Sequence, residues 1–75
     1  MDGHNRDTIN YIRQEMFKLN NVIISFGQQN LSNEENFQLV MFNESIIFWA
    51  NNKDYDRSIG ELKKQEQYLM GVIMK

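Results

Sequence analysis

Asn51-Asn52-Lys53-Asp54-Tyr55-Asp56 is the stretch that decides the fold. Asparagine and aspartate bond their own backbone in competition with helix, so the run reads as a tight turn, with Asp54 or Asp56 placed to cap a new helix. One series opposes that reading. Met41, Phe48, Tyr55, Leu62 and Leu69 recur every seventh residue straight through the stretch, as they would in an uninterrupted helix. A turn makes the chain an all-α, small antiparallel three-helix bundle. Continuation makes it a helical hairpin whose second helix, over residues 33–74, is about 63 Å long and must dimerise to cover its stripe. The bundle needs no second chain to form its core and is the expected fold.

Upstream of the turn, Ser32 followed by Glu35 forms a capping box, which sets a helix over 33–51. Leu39, Phe42, Ile46 and Trp49 make its stripe, and Phe37, Val40, Met41, Ile47 and Phe48 widen the apolar surface beyond the ~100° that one packing partner covers. This helix is therefore expected to touch two neighbours, or one neighbour and another chain. Further upstream, Ile9, Ile12, Met16, Leu19, Ile23 and Phe26 recur at three- and four-residue steps. They predict a helix over 7–26, started by Asp7 or Thr8 and closed by Gly27. Downstream, Ile59, Leu62, Leu69, Val72 and Ile73 predict a third helix over 55–74. Without a repeat or a linker, residues 1–75 read as a single helical domain.

A chain of 75 residues with no cysteine and no proline has no disulfide framework and no thiolate metal site. Domains of this size bury only about 60% of their unfolded surface and often need a disulfide, a metal or a partner. The lone His4 lacks neighbouring ligands, and Glu34, Glu35 and Glu44 lack the Glu-x-x-His pairs of a di-metal bundle, so no cofactor or metal is expected. No apolar run approaches the ~20 residues of a membrane span, and a cytoplasmic protein with no membrane partner is the expectation.

Two resemblances bear on activity. Ile12-Arg13-Gln14-Glu15-Met16-Phe17-Lys18-Leu19-Asn20 resembles the opening helix of the all-helical chorismate mutases, which implies that Arg13 would bind a substrate carboxylate. Such enzymes meet a dicarboxylate with several cations, whereas no Lys or Arg lies between Lys18 and Lys53. Phe42-Asn43-Glu44-Ser45-Ile46 is similar in placement to the Ser-Gln-Glu-Leu-Asp signature of the helical-hairpin aspartyl phosphatases of bacillus sporulation, but it keeps the glutamate and lacks the aspartate. Both assignments are rejected, and with no nucleophile, base and orienting group to assemble, the chain is read as no enzyme.

The remaining signal is aromatic. Phe42, Ile46, Phe48 and Trp49 crowd the second helix, and Phe17, with Tyr11, Val22 and Ile24, adds apolar surplus to the first. Aromatic residues anchor interfaces disproportionately. The expectation is a non-catalytic protein–protein interaction module, a small regulator or inhibitor acting as a homodimer or in a hetero-complex. The abundance of Asn, Gln and Ile suits an AT-rich bacterial or phage genome and points to a phage- or mobile-element-derived protein. The alternative is a small DNA-binding regulator using Arg57, Lys63 and Lys64 of the last helix. Acidic residues interleave there, so nucleic acid is the weaker partner class.

Overall fold

A computed structural model describes residues 2–75, with side chains from residue 6 onward. Three helices follow in order: α1 (Asp2–Phe26), α2 (Asn33–Asn51) and α3 (Tyr55–Ile73), with a 3-10 turn at Gln28–Asn30 after the first. The stretch over 51–56 turns, and the fold is the all-α antiparallel three-helix bundle.

The turn uses the backbone-bonding chemistry of its residues. The Asp54 amide donates to the Trp49 carbonyl at 2.9 Å and the Lys53 amide to the Ala50 carbonyl at 3.0 Å. These two bonds form a Schellman closure, which satisfies carbonyls that a helix end leaves without partners. The Asn52 side-chain amide donates to the Phe48 carbonyl at 2.8 Å. Lys53 sits at the left-handed position, φ 61°, where glycine or asparagine is usual. Asp54 then starts α3 by accepting from the Arg57 amide at 3.3 Å.

Reversing the chain breaks the seven-residue series. Met41 and Phe48 lie on the outer side of α2 at 44% and 56% exposure, whereas Leu62 and Leu69 are buried on the inner side of α3. The repeat joins two different faces, so it carries no continuous seam.

At the start of α2 the capping box is complete. The Glu35 amide donates to Ser32 Oγ at 3.0 Å and the Ser32 amide to Glu35 Oε1 at 2.9 Å. Lys75 also donates to Glu35 Oε2, tying the segment after α3 to the start of α2. That bond, helped by the Ser32 amide, holds the Glu35 carboxyl below the usual carboxylate range and raises the Lys75 ammonium.

The expected start of α1 is corrected: the helix begins at Asp2, not near residue 7, and passes through Asp7 and Thr8. Capping propensity is only a preference, and once a helix is nucleated each further residue adds a bond. The far end is as expected. Gly27 takes φ 97°, open to glycine and strained for other residues. Asn30 Nδ2 donates to the Phe26 carbonyl at 2.7 Å.

The core gathers Ile12, Leu19 and Ile23 of α1, Leu39 and Ile46 of α2, and Leu62, Leu69 and Val72 of α3, with Leu31 added from the connection. Two polar residues join it. Ser58 Oγ donates to the Ile46 carbonyl at 2.8 Å, and Gln65 Nε2 donates to Asn43 Oδ1 at 3.1 Å.

The helices share this core unequally. α2 packs along α3, α1 packs on α3 more lightly, and α1 and α2 touch each other little. The result is elongated, 42 × 18 × 15 Å, with a radius of gyration of 13.0 Å against about 11 Å for a compact chain of this length.

Candidate protein-interaction surface

Because α1 and α2 splay on either side of α3, a cleft of about 280 Å³ opens between them. Ile9, Ile12, Arg13 and Met16 form one wall, and Ile46, Ile47, Ala50 and Asn51 form the other. The cleft identifies which flank of each helix borders the opening. Helical periodicity then extends each flank along the molecule. On α1, Arg13 is followed by Phe17, Asn20 and Ile24 at steps of four, three and four. On α2, Asn51 and Ile47 are preceded by Glu44, Val40 and Phe37 on the same flank.

Most of these side chains are apolar and open to solvent. Phe17 is 68% exposed, Ile24 71% and Phe37 64%. Val40 and Ile47 are also exposed, and Phe48 and Met41 carry the apolar surface around the outer side of α2. An isolated exposed leucine or valine means little, whereas a contiguous apolar face is the signature of a surface that meets another molecule. α1 meets α2 only lightly, through the shared core, and leaves this flank of α2 open.

The five residues singled out from sequence divide between surface and interior. Phe17 and Phe48 are exposed. Phe42 is half-buried with its ring centroid 5.8 Å from that of Tyr68. Trp49 is half-buried as well, with Phe48 edge-on at 5.0 Å and the Arg57 guanidinium 4.6 Å from its ring centroid. Ile46, at 0% exposure, is a core residue that borders the cleft from within, its carbonyl accepting from Ser58 Oγ. Residue type could not separate these roles. Position on the helix does, since Ile46 shares its side with Leu39 while Ile47 and Val40 share the open flank.

The candidate nucleic-acid residues are largely engaged with their own helix. Arg57 lies over Trp49 and pairs with Asp54 at 3.4 Å, and Lys64 pairs with Glu61 at 3.3 Å. Lys63 remains exposed. No basic stripe results, because acids one turn away offset the bases.

Among the described residues, no three His, Cys, Asp or Glu side chains gather where they could hold a metal ion. The His4 side chain lies outside the described ones. No described helix is long and apolar enough to cross a membrane. Comparison with known proteins adds no relative: no family model, curated protein or solved structure matches the chain.

Proposed function

We propose that this chain is a non-catalytic protein-interaction module, a small helical regulator or inhibitor that docks another protein chain against the open face of α1 and α2. One observation carries the reading. Ile47 lines the α1/α2 cleft, helical periodicity carries Phe17, Ile24, Phe37 and Val40 along the same flanks, and all five residues are about half exposed or more. Full burial of such side chains contributes about 1.5–3 kcal/mol each, and a partner covering the part still exposed would gain a share of that. A cytoplasmic setting and an origin in a phage or mobile element belong to the same reading, on composition alone. The DNA-binding alternative has less support, since Arg57 and Lys64 are paired with acids.

Photo-crosslinking in the native cells tests the proposal. A photoreactive residue at Phe17, Val40 or Phe48 is expected to give discrete protein adducts. The same probe at Gln67 or Lys63, on the polar side of α3, is expected to give none. Equal labelling from both sides, or no adduct from the apolar face, overturns the reading.

A further inference from the structure

We infer that the occupant of the open α1/α2 face is a second copy of this chain; the inference rests on the interaction reading above and names its partner. Three observations carry it.

The first is area. The chain exposes 5548 Å², whereas a compact monomer of its mass exposes about 4,850 Å². The surplus, roughly 700 Å², is close to the ~800 Å² that each partner buries in a standard interface. That surplus belongs to the whole elongated chain, and the exposed side chains of Phe17, Ile24, Phe37, Val40 and Ile47 are the apolar part of it that borders the α1/α2 opening.

The second is charge. Arg13 stands on the α1 flank and Glu44 on the α2 flank, and neither makes an ion pair among the described residues. One cation and one anion on opposite walls of a face give no net sign to attract a strongly charged partner. They do complement the face's own two-fold image, where Arg13 of each copy meets Glu44 of the other and the pair occurs twice.

The third is stability. A chain of 75 residues without cysteine has no disulfide to constrain it, and self-association is a recognised route by which small folds obtain more core. In a dimer the apolar residues that widen α2 acquire the cover that the light contact with α1 does not provide.

Sedimentation equilibrium on the purified chain tests the inference. The expected species has twice the 9.0 kDa chain mass. Ile47→Asp and Phe17→Asp are each expected to weaken association at least ~100-fold, as loss of an interface anchor does. Both positions are exposed, and circular dichroism of the dilute variants is expected to match that of the dilute parent. Lys63→Asp, on the other side of α3, is expected to change nothing. Arg13→Glu is expected to weaken the dimer and Glu44→Arg in the same chain to restore it.

A monomer at about 200 µM, a concentration that would fill a complex of even modest affinity, overturns the inference. So does a dimer indifferent to both face substitutions, and failure of the double charge exchange overturns the two-fold arrangement. A monomer that still gives face-specific adducts with a different protein overturns the second copy and leaves the interaction reading standing. A monomer with no such adducts ends both.

Discussion

Replacing Lys53 by glycine tests the turn that makes this chain a bundle. Lys53 adopts φ 61° at the closure of α2. A residue with a Cβ in that left-handed conformation costs about 1–2 kcal/mol. Glycine removes the cost, and its greater freedom in the unfolded chain gives back about 0.5–1 kcal/mol. Lys53→Gly should therefore stabilise the fold by roughly 0.5–1 kcal/mol, raising the thermal midpoint by about 2–8 °C for a domain of this size. The Lys53 side chain is exposed, so little packing is lost. A continuous helix through the stretch demands the opposite sign, because glycine in a helix interior costs about 1 kcal/mol. The assay is thermal unfolding by far-UV circular dichroism, with parent and variant at one concentration, since self-association shifts the midpoint. A midpoint that falls on substitution refutes the turn geometry and with it the three-helix arrangement.

Three further substitutions examine other parts of the fold. Gln65 is buried with its Oε1 unpartnered, and an unmet acceptor costs about 1–3 kcal/mol. Gln65→Met is expected to raise stability by about 1 kcal/mol in urea unfolding; a loss would mean that its bond to Asn43 outweighs the orphan oxygen. Ser32→Ala removes half of the capping box and is expected to lower stability by about 1 kcal/mol, and no change would deny the cap a role. Glu35 has a depressed folded pKa, owing first to Lys75. Its contribution is thus present above the free carboxyl value of about 4.3 and is lost as pH falls through the lower folded value. Stability should therefore fall less steeply with acid in Glu35→Gln than in the parent; identical acid profiles would remove Glu35 from the account.

What was legible in the sequence followed from local chemistry. Ser32 with Glu35 placed the start of α2, Asn52 and Asp54 placed its reversal, and the three- and four-residue steps from Ile9 to Phe26 placed the buried side of α1. Features without a local signal were missed. The early start of α1 at Asp2 reflects helix propagation past adequate caps. Leu31 enters the core from a connection where no periodicity flags it.

Ser58 and Gln65 were hidden for another reason. Their polarity reads as surface, yet both lie on the buried side of α3, Gln65 three residues after Leu62 and four before Leu69. The candidate surface was half legible. Apolar and aromatic content alone grouped Phe42, Ile46 and Trp49 with Phe17 and Phe48, although only the latter two are well exposed. How little α1 and α2 touch depends on tertiary packing, and that packing is what leaves Val40, Ile47 and Ile24 exposed.

Spin labelling reads directly whether a second copy covers that face. Because the chain has no native cysteine, Val40→Cys and Gln67→Cys each carry a single label. A label at Val40 is expected to be mobile in dilute solution and immobilised as concentration rises, while one at Gln67 stays mobile throughout. A Val40 label that remains mobile at every concentration, or a Gln67 label immobilised alongside it, contradicts the assignment of the α1/α2 face to a second copy of the chain.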